Sequence, residues 1–242
     1  MPHYLVFNLA AQIAAFGGPA GHERRGGDTW PGRSALIGLI AGALGIRRED
    51  RGGQERLGTL AFAVAAYDTG HPLRDYHTVQ SVPNTIKQPA TRADALRRGA
   101  VARKLNTSIT QRDYRTGVRF TVAAWDRDGT HDLDALAAAL RRPTFTPYLG
   151  RKSCPLSAPM EPTIFEAETP LSALGASRRA GGNAPLFVAA EHFDGLKDQA
   201  ASVSWRHDDP LDRTRWHFGV RPVHVLRGEA MGWNSTFEES DA

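Results

Sequence analysis

Cysteine is almost absent from this chain, since Cys154 is the only one among 242 residues. A single thiol excludes an internal disulfide and a four-cysteine zinc site. The N-terminal residues 1–4 lack the basic start of a secretory signal. The most apolar run, residues 35–46, is shorter than the roughly 20 residues that cross a bilayer. These absences predict a cytoplasmic protein that has no membrane partner.

Recognisable catalytic and cofactor signatures are also missing. The sequence contains no phosphate-binding loop and no Ser/His/Asp arrangement with a nucleophile elbow. His207, Asp208 and Asp209 form a cluster, but the adjacent Pro210 and the surrounding charges favour a polar turn over a ligand set. We therefore predict no metal site and no other cofactor.

Positive charge is present in excess, and it is concentrated in one segment. The whole chain carries +4, whereas residues 71–115 carry +6, because nine Lys and Arg residues are opposed only by Asp75, Asp94 and Asp113. The nine cations are Arg74, Lys87, Arg92, Arg97, Arg98, Arg103, Lys104, Arg112 and Arg115. A local excess larger than the charge of the whole chain predicts a surface that faces a polyanion.

Hydrophobic patterns predict an α+β fold over the first two thirds of the chain. In chain order they indicate a strand at 4–9, a helix at 34–45 capped by Ser34, strands at 60–64 and 119–125, a helix at 132–140 and a strand at 163–166. This order is that of a ferredoxin-like, RRM-like β-α-β-β-α-β unit. The basic segment is inserted between its middle strands, and residues 93–105 are its only helix candidate.

The last third of the sequence carries a weaker pattern. Residues 186–190 suggest a short strand, and residues 216–226 a strand or hairpin that Pro222 interrupts. We divide the chain into a ferredoxin-like core at 1–170, which contains the insertion, and a small β-rich extension at 171–242. Whether that extension is a second small domain or a set of extra strands is open. Trp125, Trp205 and Trp216 lie in apolar strand contexts, which predicts that they belong to cores.

A short loop, residues 146–156, combines side chains that suit RNA. Tyr148 supplies a flat ring, Gly150 a flexible backbone, and Arg151 and Lys152 two adjacent cations, all between two prolines. A ring can stack on an unpaired base while the cations bind its phosphates. The proline on each side limits how far the loop can move. The alternative is an ordinary surface turn whose charges face water.

Three segments of the sequence resemble a known family. They are residues 9–17 (LAAQIAAFG) with 30–39 (WPGRSALIGL) and 45–46 (GI), residues 73–79 (LRDYHTV), and residues 148–156 (YLGRKSCPL). In that order and spacing they resemble the CasD-type subunits of Cascade, the type I-E CRISPR surveillance complex, within the CRISPR-associated RAMP superfamily. The resemblance spans roughly residues 1–160. The chain departs from it at Phe16, where tryptophan is common, and at Ala14, where glutamine is usual.

The resemblance implies an RNA-binding subunit that is not an enzyme. Members of the family bind the 5′ handle of the CRISPR RNA (crRNA) and cap one end of the complex, so the chain would work in an assembly and not as a homo-oligomer. They neighbour the backbone subunit, the large subunit and the target DNA near its PAM-proximal end. Another subunit cuts the precursor RNA in this subtype. The insertion at 71–117 would be the protruding thumb of the family.

Twelve residues are our candidates for RNA contacts. They are Arg24, Arg25, Arg33, Ser34, Tyr76, His77, Lys87, Arg103, Lys104, Tyr148, Arg151 and Lys152. Arg33 and Ser34 open the first predicted helix, whose N-terminal amides favour a phosphate. The alternative for Arg33 is a pair with an internal acid. Tyr76 would wedge between bases near the start of the insertion, and the remaining cations would neutralise phosphates.

Two other functions compete with RNA binding alone. A metal-independent ribonuclease needs a base for the 2′-hydroxyl and a cation for the developing phosphorane charge, which His77 with Lys87 or Lys104 could supply. A histidine that only packs or donates a hydrogen bond is the simpler interpretation. The remaining alternative is a scaffold whose basic insertion contacts only protein.

Overall fold

The computed structural model describes residues 1–18, 21, 23–84, 88–177, 185–191 and 200–228. Within these residues it contains eight strands and five α-helices. The strands are β1 His3–Ala14, β2 Arg24–Arg25, β3 Leu60–Ser81, β4 Asn106–Asp126, β5 Thr163–Glu166, β6 Phe187–Ala190, β7 Ser202–Asp212 and β8 His217–Arg227. The helices are α1 Arg33–Leu44, α2 Arg51–Arg56, α3 Arg92–Val101, α4 Leu133–Arg141 and α5 Pro170–Ala176, with a 3₁₀ turn at Leu57–Thr59. The predicted α+β class is confirmed.

One sheet joins all eight strands in the order β5-β1-β4-β3-β6-β8-β7, with β2 beside β4. Neighbouring strands are antiparallel, except that β2 runs parallel to β4. The elements β1, α1, β3, β4, α4 and β5 follow one another along the chain in the predicted β-α-β-β-α-β order. None of the described helices has both the length and the apolar character that a membrane crossing needs.

Helices cover both faces of the sheet and bury two apolar clusters. On one face Ile37 and Ile40 of α1 and Leu136 of α4 pack against strand residues that include Phe7 and Phe120. On the other face, Ala173 and Leu174 of α5 pack with Tyr4 and Val6. Helix α5 was not predicted from the sequence, although Thr169 and Ser172 form a capping box around its first turn and Pro170 begins it.

Helix α1 ends as predicted but begins differently. Gly45 adopts the left-handed conformation (φ +76°) at its C-terminus, which glycine reaches without steric cost. Gly32, and not Ser34, is the N-cap, and no side chain of the cap residue accepts a hydrogen bond there. Instead the carboxylate of Asp208 accepts the backbone N–H of Arg33 at 2.8 Å. The predicted capping role of Ser34 was therefore wrong.

Strands β3 and β4 are far longer than the sequence indicated and form one extended hairpin. Their pairing runs from Leu60 opposite Asp126 to Ser81 opposite Asn106, with a bulge after Ala66. Beyond the bulge most side chains on both strands are at least partly exposed. Because neither face of that part is buried against a core, its sequence shows no alternation of apolar and polar residues. The interpretation that the basic segment interrupts the two middle strands was therefore wrong.

Helix α3 lies between the two strands at the far end of the hairpin. Thr91 caps it by accepting the N–H of Asp94, and Ala95 and Gly99 are buried under it. An added methyl group on Gly99 would lie 2.6 Å from Leu105 and 2.8 Å from Val82, so the helix packs closely on its own connection. The helix ends at Val101, four residues before the predicted end.

The described C-terminal strands belong to the same sheet as β1 to β5. Strand β6 pairs with both β3 and β8, and β7 pairs with β8. The boundary at residues 170 and 171 stays a prediction. Pro222 does not interrupt β8, because it lies beyond the end of β6, where β8 has only β7 beside it among the described residues. Proline is tolerated at such an open edge.

Two sequence interpretations of this region were wrong. His207, Asp208 and Asp209 lie within β7 and not in a turn. Trp205 and Trp216 are 71% and 59% exposed and therefore do not belong to a core. Trp125, by contrast, packs partly buried against the second cluster, with its ring 5.8 Å from that of Tyr4.

Candidate nucleic-acid interface

The loop at 146–156 is a compact turn that projects two cations and a ring. Tyr148 and Pro155 form an isolated antiparallel bridge. Inside it, the N–H of Leu149 donates to the carbonyl of Cys154 at 2.8 Å, and the N–H of Cys154 donates to the carbonyl of Arg151 at 2.8 Å. These bonds hold residues 148–155 in one closed shape. Tyr148 is 39% exposed at its start.

The buried side of this loop is fixed to the end of β1. Leu149 is buried in the first cluster, and its carbonyl accepts the N–H of Ala15 at 3.1 Å. Gly150 has φ +87°, and a methyl group added to it would lie 1.7 Å from the carbonyl oxygen of Ala15. Only glycine therefore fits this contact. The exposed side chains of the loop stand on a rigid support.

Arg151 reaches from this loop to the extended hairpin. Its guanidinium carbon lies 4.5 Å from the ring centroid of Tyr114, a residue of β4. Its Nη1 atom is buried and has no hydrogen-bond partner among the described residues, which also offer Arg151 no carboxylate in ion-pair distance. Lys152 beside it is exposed. The positive charge of Arg151 thus stays available to an anion.

Strand β2 adds two further predicted cations to the base of the hairpin. Arg24 and Arg25 pair in register with Gln111 and Arg112 of β4. Because side chains alternate along a strand, Arg25, Arg112 and Tyr114 share one face and Arg24 lies on the other. The predicted cations Arg25 and Arg151 therefore converge on the Tyr114 side.

On the opposite face of the hairpin, an acidic side chain balances part of the positive charge. Asp113 forms ion pairs with Arg74 at 2.7 Å and with Arg24 at 3.3 Å. The pKa of Asp113 is held below its usual value chiefly by Arg74. Burial raises this pKa, and Arg24 lowers it further. Arg24 is still exposed, but part of its charge is balanced.

Tyr76 and His77 lie on opposite faces of the hairpin. Tyr76 is 57% exposed opposite Gln111, on the Arg24 side. His77 lies opposite Thr110, and its Nε2 atom contacts the carboxylate of Asp75. The two adjacent residues consequently cannot act on the same face.

The predicted cations at the tip of the hairpin are remote from the loop. Arg103, in the left-handed region at φ +50°, and Lys104 are exposed just after α3. Lys104 precedes Asn106, which lies four strand residues, or about 13 Å, beyond the level of His77. The structure therefore does not bring Lys104 and His77 together. Lys87 lies outside the described residues.

Arg33 is a core residue, which corrects the prediction that it binds phosphate. Its side chain is 4% exposed and pairs with Glu191 at 2.8 Å and Asp209 at 3.0 Å. It also donates to the carbonyls of Gly58 and Leu60. Four of its five guanidinium N–H groups donate to acids or carbonyls inside the protein, so the alternative of pairing with internal acids describes Arg33 correctly.

Ser34 also faces a protein partner, since its carbonyl accepts a hydrogen bond from Arg213. The side chain of Ser34 is partly exposed, and its contact with phosphate stays a prediction. Among the residues that the structure describes, no three histidine, cysteine or acidic side chains come close enough to hold a metal ion.

Sequence reasoning missed Arg112 and Tyr114 as members of this surface. The signal was present in the run Arg112-Asp113-Tyr114-Arg115, where alternate residues belong to alternate faces once a strand is assumed. Without a buried face in this stretch, nothing in the sequence identified it as a strand.

Comparisons with known proteins agree with one another. The family described as CRISPR-associated protein (Cas_Cas5) matches residues 4–224. The chain is similar to the CRISPR system Cascade subunit CasD of Escherichia coli strain K12, with 34% identity over 94% of this chain and 97% of that protein.

Two solved structures extend the agreement to the fold. A chain from a CRISPR RNA-guided surveillance complex superposes with a TM-score of 0.65 and 26% identity, covering 93% of this chain and 90% of that one. A chain described as a Cas protein gives a TM-score of 0.58 over 94% and 96% of the two chains at 22% identity, which supports the fold alone. On the family match and the 34% identity together, the chain belongs to the Cas5 family of CRISPR-associated proteins.

Proposed function

We propose that this protein is a Cascade subunit that binds the 5′ handle of the crRNA, caps that end of the complex, and leaves the RNA intact. The observation that carries the proposal is the guanidinium of Arg151, which has no described acidic partner and lies over the ring of Tyr114, on the loop that also exposes Tyr148. An exposed ring and a cation without a described acidic partner, both on one fixed loop, suit an unpaired base and its phosphate. Family membership and the similarity to CasD support the choice of RNA.

The extended β3–β4 hairpin is, in this proposal, the thumb of a ferredoxin-like core. Its base carries Arg25, Arg112 and Tyr114 on the face that Arg151 reaches. Its tip carries Arg103 and Lys104 some distance away. The base would hold the handle, and the tip would contact the guide, the PAM-proximal target DNA or the neighbouring backbone subunit. The large subunit would complete the same end of the complex.

Binding without cleavage is the form of the proposal that the geometry favours. A metal-independent ribonuclease would need a base and a cation around one phosphate. His77 already contacts Asp75, and Lys104 lies about 13 Å further along the hairpin. The described residues therefore do not bring Lys104 next to His77, as the ribonuclease hypothesis required.

The proposal is tested by assembly of the complex on its guide. The double variant Tyr148→Ala/Arg151→Ala is co-expressed with the other subunits and a crRNA, and the purified particles are analysed for RNA content. Loss of one stacked base costs about 1–3 kcal/mol, and loss of a cation removes a phosphate contact as well. We expect few or no RNA-bound particles at physiological salt.

Two matched controls separate contacts from general effects. Tyr148→Phe keeps the stacking face and should assemble normally, and Arg142→Ala removes an exposed cation at the end of α4 without touching the loop. A double variant that assembles like the unmodified protein disproves the assignment of the loop.

The ribonuclease alternative has its own test. Purified protein is incubated with CRISPR repeat RNA in the presence of a chelator, and the products are separated by size. Specific cleavage that His77→Ala abolishes would replace the binding-only proposal. Binding of handle RNA that hardly changes with salt would favour the scaffold alternative, because phosphate contacts release counterions.

A further inference from the structure

Trp216, at the turn between β7 and β8, is held in a conformation that its side chain disfavours. Its φ is +54°, in the left-handed region where a bulky residue is an outlier. The side chain is nevertheless 59% exposed, so burial of the ring does not explain the strain. Strained residues that remain exposed are commonly placed for contact with a ligand or partner.

Arg48 lies against one face of this ring. Its guanidinium carbon is 4.2 Å from the centroid of Trp216. Arg48 is exposed in the connection between α1 and α2, and no carboxylate of the described residues forms an ion pair with it. A guanidinium over an aromatic face leaves its N–H groups available to other partners. Trp216 and Arg48 together present both a ring and free donors.

A second guanidinium, that of Arg213, is enclosed beside them. It donates to the carbonyl of Ser34 and lies on Gly38, where an added methyl group would be 3.2 Å from its Nη1 atom. Its Nε atom is buried without a partner among the described residues. Burial lowers the pKa of Arg213, and the charge of Arg48 lowers it further, whereas Tyr148 raises it.

The acid next to Arg213 in sequence does not neutralise it. Asp212 accepts the backbone N–H of Thr214 at 2.8 Å and that of Arg215 at 3.2 Å, and its carboxylate also lies 3.8 Å from the side chain of Arg215. The two guanidinium groups therefore repel each other, and none of the described carboxylates forms an ion pair with either of them. Such an arrangement is costly by itself and becomes favourable when an anion binds.

The surface made by Arg48, Arg213 and Trp216 adjoins the proposed RNA-binding loop. Thr144 and Phe145 donate to the carbonyls of the last turn of α1, at 2.9 and 3.1 Å, and this attaches the chain leading to Tyr148 onto the helix. Arg213 contacts the same helix through the carbonyl of Ser34. A strand that leaves Tyr148 can therefore continue over this surface.

We propose that the Arg48–Arg213–Trp216 surface binds one nucleotide of single-stranded nucleic acid, with its phosphate between the two guanidinium groups and its base on the open face of Trp216. The proposal extends the proposed function and rests on it, because it takes the neighbouring loop at 146–156 to bind RNA. An acidic peptide would use the cations but not the exposed ring, whereas a nucleotide uses both. Phosphate and base face are common to RNA and DNA, so a guide segment and a displaced DNA strand are the two possible sources.

The test measures binding of the full chain to two 12-nucleotide probes, fluorescein-labelled oligouridylate and oligothymidylate, by anisotropy at several salt concentrations. Trp216→Ala and Arg48→Ala should each weaken binding about 10-fold. Arg48→Ala should also reduce the slope of log affinity against log salt by about 0.7, since one phosphate contact is lost. Weaker binding of both probes, or of only one of them, supports the site. Weaker binding of one probe alone also shows whether the site takes RNA or DNA.

Trp205→Ala is the matched control, because Trp205 is 71% exposed on the same hairpin but outside this surface. Thermal unfolding of every variant checks that the fold persists, and the charge reversal Arg48→Glu, at an exposed position, serves if Trp216→Ala does not fold. If the variants bind both probes as the unmodified protein does, the inference is overturned. The same holds if they bind the probes normally but no longer copurify with the partner subunits. The handle proposal survives that outcome if Tyr148→Ala/Arg151→Ala still abolishes assembly on the guide.

Discussion

The guanidinium of Arg151 lies 4.5 Å from the ring centroid of Tyr114 and joins two parts of the chain that are far apart in sequence. The contact fixes the orientation of a cation that no described carboxylate holds. Because the loop of Arg151 is itself fixed to β1 through Leu149, the ring and the cation are positioned before any ligand arrives. Preorganisation of this kind lowers the entropy that binding must cost.

Removal of the Tyr114 ring should weaken RNA binding even if Tyr114 itself touches no base. Tyr114→Ala leaves Arg151 without its platform, and we expect handle RNA to bind about 5- to 10-fold more weakly, as for loss of a cation–π contact of roughly 1 kcal/mol. Tyr114→Phe keeps the ring and should bind normally. Anisotropy with labelled handle RNA measures the effect, and equal affinities for all three proteins would exclude a positioning role.

Gly150→Ala should distort the loop at 146–156. The left-handed φ of +87° alone costs a non-glycine residue about 1–2 kcal/mol, and the methyl group would lie 1.7 Å from the carbonyl oxygen of Ala15. We expect a loss of at least about 2 kcal/mol in the free energy of unfolding, or a displaced loop with weak RNA binding. Gly42→Ala, in α1 with open space around it, should be neutral or slightly stabilising. Urea unfolding compares them, and similar stabilities would contradict the prediction.

The element order could be predicted because the buried strands and helices carry clear hydrophobic periods. Phe7, Phe120 and Ile37 are such residues, and each is fully buried. The outer half of the hairpin could not be predicted, since its stability comes from pairing between two strands whose faces both meet solvent. Pairing partners distant in sequence leave no local pattern.

The candidate site was partly predictable for a related reason. Tyr148 and Arg151 are adjacent to glycine and proline, and this combination is visible in the sequence. Arg33 was misjudged because its neutralising partners, Glu191 and Asp209, are more than 150 residues away. A charge at the start of a helix looks the same in a sequence whether water or a buried acid faces it.

Arg33→Ala tests that correction. Arg33→Ala takes one of two arginines from buried Glu191, which keeps Arg221 at 2.7 Å, and it also removes the hydrogen bonds of Arg33 to two backbone carbonyls. We expect a loss of about 3 kcal/mol in the free energy of unfolding. Arg24→Ala, at an exposed position, should cost less than about 1 kcal/mol. Urea unfolding gives both values, and RNA binding by the folded fraction of the Arg33 variant should be unchanged. A stable Arg33 variant with weakened RNA binding would restore the phosphate-contact interpretation.

Asp113 should contribute stability that acid removes. The pKa of Asp113 is lowered in the folded state, chiefly by Arg74. A carboxyl group with a depressed folded pKa stabilises the protein above its unfolded pKa of about 4 and loses this contribution as pH falls through the folded pKa. The difference in stability between the unmodified protein and Asp113→Asn should be constant from about pH 7 to 5 and at most about 1 kcal/mol. It should shrink below about pH 4.

Urea titrations at each pH measure this difference, and a difference that grew on acidification would have the wrong sign. Asp132→Asn, at the cap of α4, is a useful comparison because this carboxylate accepts backbone N–H groups and pairs with no arginine of the described residues.

Trp216 allows backbone strain to be separated from ligand contact. At φ +54° the left-handed backbone is sterically unfavourable for alanine but not for glycine. Trp216→Gly should therefore be more stable than Trp216→Ala by about 1 kcal/mol. The same pair at Trp205, within a strand, should show the opposite order, because glycine weakens strand interiors. Both Trp216 variants should bind oligouridylate equally weakly. If glycine at 216 were the less stable of the two, the backbone there would carry no left-handed penalty, and the argument from strain would fail.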